Sequence, residues 1–304
     1  MTEARPVSLF LALVSVAVLA VSVLSPARGE VRHQDPGNAP GIVMSETLNL
    51  LTLNIAHARG TALNQLLVSA SGHRDNLEDI ASVILASGVH VAALQEADAP
   101  SLWSGRFDHV AYLAEVTDFH SSVHGRHADS WLFSYGAALV SRYQLEETRS
   151  HRFSPSWPTA GKGFVVGSLQ WQLPVPGAAP RTVTLASVHL DFSRESVRQD
   201  QIAEVIKGLK EVNTPLIVMG DFNADWSASD SPVRKLASGL GLSVFRPEIK
   251  GFYTYKESKR LDWILISPEL GFVEYDVLPD VVSDHLALVA KIGWRQQNEH
   301  YAYD

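Results

Sequence analysis

"TPLIVMGDFNADW", residues 214 to 226, decides the fold. Pro215 to Met219 are almost wholly apolar, and the chain then turns abruptly to Gly220, Asp221, Asn223 and Asp225 with no lysine or arginine beside them in sequence. A short, continuous apolar run bounded by turn residues is a strand covered on both faces, which places it inside a layered domain. Acid and amide groups gathered at the mouth of such a strand need a chemical reason.

Strand and helix signals alternate on either side of it. Strands are predicted at "TLNLLTLN" (47–54), "VHVAALQE" (89–96), "YGAALVSR", "GFVVGSLQWQL", "TVTLASVHL", "LDWILIS", "FVEYDVL" and "LALVAKI". In "RDNLEDIASVILASG", Leu77, Ile80, Ala81 and Ile84 share one helical face and Gly88 is the stop. A second helix, "SVRQDQIAEVIKGLKEV", turns Ile202, Val205, Ile206, Leu209 and Val212 inward, with Ser196 and Gln199 as its expected capping pair. Many strands with few helices indicate an α/β sandwich of two packed sheets with helices outside. There is no internal repeat, no low-complexity tract and no linker in the middle of the body, so one large domain is expected.

The chain has 304 residues, 46% of them hydrophobic, a formal net charge of −8 and no cysteine. Disulfides, thiolate chemistry and cysteine-based zinc sites are therefore excluded. The charge provides no general positive field for nucleic acid or anionic membrane, although a bound cation and local contacts can still serve an acidic nuclease.

Val7 to Leu24 form an uncharged run of 18 residues, followed by "SPARGE", where Ser25 and Ala27 place small residues two apart. This reads as a secretory signal cleaved after Ala27, or as an uncleaved anchor. The run is longer than the roughly 7–15 residues of a cleaved signal and reaches the roughly 17–25 needed to span a bilayer. Both readings put the body outside the cytoplasm, in the periplasm or the medium. Residues 28–45 read as a tether and 295–304 as a polar tail.

Most strands end on chemistry. Asn54 closes the first and Glu96 the second; His189 and Asp191 close "SVHLD", Asp221 and Asn223 close "IVMGDFN", Asp262 opens "LDWILIS", and Asp284 with His285 opens the last strand. Taken singly, each has a structural explanation, since Asp and Asn begin turns and a strand-end histidine commonly bonds a backbone carbonyl. Six such ends on one rim point to a site. Carboxylate and amide oxygens suit magnesium or manganese, and acids without a neighbouring cation favour a bound metal.

The ordered set "LN" at Asn54, "QE" at Glu96, "HLD" at His189, "GDFN" at Asp221, "LDWIL" at Asp262 and "SDH" at Ser283 resembles the endonuclease/exonuclease/phosphatase superfamily across about residues 46 to 294. The resemblance implies a four-layer αββα sandwich of two mostly antiparallel mixed sheets, and a magnesium-dependent phosphoesterase working where these strands end. It implies Glu96 as metal ligand, Asn54 beside it on phosphate or a metal-bound water, and Asp284 in support. Asp221 and Asn223 would orient the attacking water and a phosphate oxygen, and His189 would face the phosphate or leaving group. His285, held by Asp262, is either the general base or a stabiliser of charge in the transition state. A zinc ion held by the histidines is the competing metal.

For substrate, Lys162 is a candidate phosphate contact, with Arg194 and Arg198 just after His189. The favoured substrate is a lipid head group or a small phosphorylated metabolite; a secreted nuclease resembling deoxyribonuclease I is the alternative, and a binding module with a dead site is the non-enzymatic one. No obligate protein partner is evident. "SHRFSPSWPTAGKG" (150–163), with Phe153 and Trp157, reads either as a packed loop or as one that touches a membrane. His120, His124 and His127 read as a mobile polar loop or as a second metal site.

Overall fold

The structure is a computed structural model that describes residues 31 to 34 and 39 to 295. The expected signal segment and the tail beyond Arg295 lie outside the described residues. No described helix is long and apolar enough to cross a membrane.

Along the chain run β1 (Val31–Gln34), β2 (Ile42–Met44), β3 (Leu48–Asn54), α1 (Ala70–Ala86), β4 (Val91–Asp98), α2 (His109–Val116), β5 (Ser121–Asp129) and β6 (Ser134–Ser141). Then come β7 (Glu146–Arg152), β8 (Gly163–Gln172), β9 (Arg181–His189), α3 (Glu195–Leu209), β10 (Leu216–Asp221), α4 (Pro232–Leu240), β11 (Ser243–Val244), β12 (Asp262–Ile266), β13 (Leu270–Val277) and β14 (Leu288–Trp294). One mixed sheet has the order β1-β5-β6-β4-β3-β14-β13; the other runs β11-β12-β10-β9-β8-β2, with β7 also on β8.

The apolar run that opens the sequence argument is β10, and its alternation explains the layers. Ile217 and Met219 face the cluster between the sheets, with Leu50, Val91 and Leu139 of the first sheet and Val165, Leu185 and Ile264 of the second. Leu216 and Val218 face outward against Ile202, Val205 and Leu209 of α3 and Val233 and Leu236 of α4. On the other side, Leu51, Leu53, Ala92 and Leu94 pack against Leu77, Ile80 and Ile84 of α1 and Val110 and Leu113 of α2. Three apolar layers separate four structural ones, the αββα sandwich that the sequence predicts.

Several elements correct the sequence reading. The stretch read as a tether contributes β1, antiparallel to β5, and β2, parallel to β8, so it belongs to both sheets. The Ser196–Gln199 cap is not made: the helix starts at Glu195, and Asp191 Oδ1 accepts from the Ser193 and Arg194 N–H groups, while Gln199 reaches Asp230 O. Phe153 is buried against Phe164, whereas Trp157 is exposed.

The histidine stretch is not a loop but strand β5. Three of its polar side chains are buried with partners: Ser121 Oγ accepts from Leu145 N–H, His124 Nε2 meets Ala97 O, and His127 Nε2 meets Ser150 Oγ at 3.0 Å. His127 fills space that side chains at Gly125 and Gly163 would occupy, since a Cβ at either would lie within 2.7 Å of its ring.

Burial, aided by His124 and Arg152, pushes the His127 imidazole down to about 3, so it folds neutral. Its folded pKa lies below the unfolded value, so the unfolded chain binds the extra proton between about 6.5 and 3, and stability falls as pH falls through that window. The expected contribution is about 1.4 kcal/mol per pH unit. Denaturant titrations from pH 7 to pH 4 should show His127→Gln losing stability less steeply than the parent; equal slopes would remove His127 from the acid response.

Candidate active site

Strand register assembles the site. Within the second sheet Gly163 pairs with His189, His189 with Asp221, and Asp221 with Asp262, so four strands end level. The close approach of β9 and β10 requires Gly220, which sits at φ 145°, where a Cβ would lie 2.0 Å from Val188 O. Across the interlayer, Asn54 at the end of β3 donates from Nδ2 to Asp221 Oδ2 at 3.1 Å, joining the two sheets. Ser283 Oγ donates to Asn54 O at 2.7 Å and brings the Asp284–His285 segment to the same place. Together these groups line a cleft of ≈ 400 Å³ with Arg59, Phe192, Tyr255 and Lys259 on its walls.

Backbone strain aims three of the side chains. Glu96, at φ 51°, lies where β4 and β6 lose register, and Asn223 sits at φ 50°. Ala56, His57 and Ala58 are consecutive non-glycine residues with φ of 46°, 58° and 52°, an arrangement of L-residues costing about 1–2 kcal/mol each. His73 Nδ1 and Asn76 Nδ2 both reach Ala58 O and hold that turn in place.

The turn delivers His57, which sequence reasoning did not single out. Its Nδ1 lies 2.8 Å from Asp98 Oδ2 and its Nε2 3.4 Å from Glu96 Oε2, with Trp103 Nε1 donating to the other Asp98 oxygen at 2.8 Å. Burial pushes His57 down, but Asp98 and Glu96 outweigh it and raise its pKa. Asp98, two residues past "QE", was the only signal available.

Lys162 is buried, flanked by two glycines, and its Nζ lies 3.3 Å from Glu96 Oε1 and 3.1 Å from His189 Nε2. Burial pushes Glu96 up; Lys162, His57 and His189 overcome this and hold the carboxyl well below the usual carboxylate range. Burial and Lys162 keep His189 neutral. Asp221 is 1% exposed, and burial together with Asp262 raises its pKa to about 7 against the pull of His285 and Asn54. For His285, burial lowers the pKa, but Asp262 (Oδ2 2.8 Å from Nδ1) and Asp221 (Oδ2 3.9 Å from Nε2) carry it to about 10, so it is an imidazolium at neutral pH.

These contacts correct the charge argument made from sequence. The acids are not alone: Lys162, His57 and Arg59 come from distant segments to meet them. The expected site residues Asn54, Glu96, His189, Asp221, Asn223, Asp284 and His285 all line the cleft, and Asp262 stands behind His285. Asn223 spends its Nδ2 on Leu190 O and Asp221 Oδ2, so it orients Asp221. Asp284 is paired with Arg59 at 2.5 Å. Arg194 and Arg198 do not face the cleft: they donate to the carbonyls of Ser156, Trp157 and Asp191 and fasten two loops. Asp191, expected to face the site with His189, is turned away to Thr159 and Ser193.

The residues fit a hard divalent cation. Glu96 stays ionised, its side chain is 22% exposed toward the cleft, and its contacts to Lys162 and His57 are at the long end of hydrogen bonding. Asp221, Asp262 and His285 each bring a ligand atom within 4.8 Å of the others, and the buried Asp262 Oδ1 has no partner. His285, protonated and tied to Asp262, is the poorest donor of that group, so the ionised Glu96 is the better ligand for oxygen-seeking magnesium or manganese.

Comparison with known proteins identifies the family and the fold. The sequence pattern of the Endonuclease/Exonuclease/phosphatase family matches residues 51–285. The chain belongs to that family. Its fold is similar to that of an endonuclease/exonuclease/phosphatase family protein from Leptotrichia buccalis C-1013-b, at 20% identity and a TM-score of 0.61 over 81% of this chain and 100% of that one. The human Nocturnin catalytic domain with bound sulfate anion aligns at 19% identity and a TM-score of 0.60 over 87% and 98%. A humanized D. rerio TDP2 aligns at 17% identity and a TM-score of 0.56 over 82% and 100%. No curated protein matches the sequence. Members of the endonuclease/exonuclease/phosphatase family are hydrolases of phosphoester bonds.

If Asp262 acts by holding His285 as an imidazolium, Asp262→Asn and His285→Ala should each lower turnover by about 10²-fold or more. The double variant should be little worse than either, because the two act as a unit. Multiplicative losses in steady-state kinetics would show independent roles.

Proposed function

We propose that this chain is a magnesium- or manganese-dependent phosphoesterase of the cell exterior, acting on a lipid head group or another small phosphorylated molecule. The observation that carries the reading is Asp221: a nearly inaccessible carboxylate raised to about 7, oriented by Asn54 and Asn223, beside an imidazolium and an ionised glutamate.

A phosphoester resists attack because it is anionic, so its hydrolysis needs an oriented water, a proton acceptor and positive charge on its oxygens. Asp221 Oδ2 is the acceptor for the water proton, since its pKa matches neutral pH and His285 stands next to it. His285 Nε2, with Nδ1 committed to Asp262, donates to a phosphoryl oxygen and stabilises the charge that builds there. Lys162, at the back of the cleft, sets positive charge beside Glu96 and donates to neutral His189, which faces the leaving group. Glu96 would hold a divalent cation, which when bound would supply positive charge against the anionic oxygens of the phosphate.

The small-substrate reading is supported by the net charge of −8, by the commitment of Arg194 and Arg198 to loops, and by the exposed Phe192 ring on the cleft wall. A duplex tracked along its backbone would require a line of free cations. Arg59 and Lys259 on the wall are what favour the nuclease alternative.

Chelation should abolish hydrolysis of phospholipid head groups or inositol phosphates, and magnesium or manganese should restore it. Glu96→Gln should raise the metal concentration required by at least ~10-fold. Asp221→Asn should lower turnover by about 10²-fold or more while the fold survives. Rapid nicking of plasmid with every lipid and inositol phosphate inert would establish the nuclease instead, and full activity in excess chelator would end the metal reading.

A further inference from the structure

Among the described residues, six large apolar side chains are at least 66% exposed: Leu63, Leu67, Trp131, Trp157, Phe192 and Val281. All six stand on the rim that carries the catalytic groups. Leu63 and Leu67 follow Arg59, whose guanidinium bonds Ala62 O and Asp284. Trp131 tips the β5–β6 turn, where Leu132 O accepts from Trp103, the residue that holds Asp98. Trp157 and Phe192 sit on the two loops that Arg194 ties together beside His189, and Val281 precedes Ser283. Met44 at 63% and Val175 at 52%, the next most exposed beyond 50% outside these loops, lie at the opposite end of β8.

A second observation gives the direction. β1 is antiparallel to β5, with Val31 opposite Gly125 and Gln34 opposite Ser122, so its N-terminal end points toward the β5–β6 turn and hence toward this same rim. The uncharged run Val7–Leu24 ends seven residues before Val31, within about 25 Å of extended chain.

We infer that the catalytic rim is a membrane-docking face, its apolar tips inserted among the head groups of a lipid bilayer and the cleft opening onto the bilayer surface. The tips come from five separate loops around a polar cleft, an arrangement that a fluid interface accommodates. A protein partner seated on all five loops would cover the charged cleft. Tryptophan rings are suited to the head-group layer, and tips of this size reach the acyl boundary. With a net charge of −8 the docking does not depend on anionic lipid. The inference deepens the lipid head-group reading, and its test is a binding measurement that succeeds or fails whether or not the site turns over a phosphoester.

The chain has no cysteine, so single cysteines report position without background. Full chain carrying Trp131→Cys, Trp157→Cys or, as the distant control, Val175→Cys is labelled with a polarity-sensitive fluorophore and mixed with phosphatidylcholine vesicles containing nitroxide lipid. Labels at 131 and 157 should shift to the blue and be quenched severalfold more than the label at 175. Three labels that stay in water overturn the inference, and so does equal quenching at all three, which would mean unoriented adsorption. Shielding at 131 or 157 that needs no lipid and grows with protein concentration overturns it in favour of a second copy of the chain.

Discussion

The carboxylate of Asp221 is a point at which the two sheets are joined polar group to polar group. Its Oδ2 receives Asn54 from the first sheet and Asn223 from the loop that follows its own strand, both at 3.1 Å. An acid so buried is stable only with donors on it, and burial together with Asp262 carries its pKa to about 7 against the pull of those donors. The polar seam at the end of the sandwich and the reactivity of the cleft therefore share one interaction. Losing the Asn54 amide would take a donor from a buried carboxylate and a polar tie from between the sheets.

Around that point the site is held by strain as well as by hydrogen bonds. Glu96, Asn223 and the Ala56–Ala58 turn all lie in the left-handed region, and each is over-determined by its surroundings. Residues kept in such conformations collect at functional sites because the fold must specify one side-chain direction there at some cost in stability. The result is a cleft whose cations and anions alternate before any substrate arrives: His57 and Lys162 about Glu96, His285 between Asp262 and Asp221, and Arg59 on Asp284.

Most of the layered fold was legible in the sequence because strands covered on both faces write unbroken apolar runs, as "PLIVMG" does, and because the α1 pattern repeats at helical spacing. Strand β5 was not, since its inward side chains are serines and histidines whose partners, Ala97 O and Ser150 Oγ, are remote in sequence. Strands β1 and β2 were hidden by the prolines and glycines between them. The residues at strand ends were readable as a set, since register alone brings Gly163, His189, Asp221 and Asp262 level. His57 was not, because a left-handed turn flanked by alanines leaves no local signal and its partner Asp98 is remote in sequence. Arg194 and Arg198 were misread for the opposite reason: basic residues near a site suggest phosphate, and only the structure shows their donors engaged by loop carbonyls.

The central claim, which rests on the proposed function, is that Glu96 ligates a divalent cation in a cleft that already holds Lys162. Anomalous diffraction from crystals of the protein grown with manganese tests it most directly. The account predicts a strong peak within coordination distance of a Glu96 oxygen on the Asp221 side of the cleft. A peak confined to the Asp262–His285 pair, or none at Glu96 with manganese in excess, would contradict it.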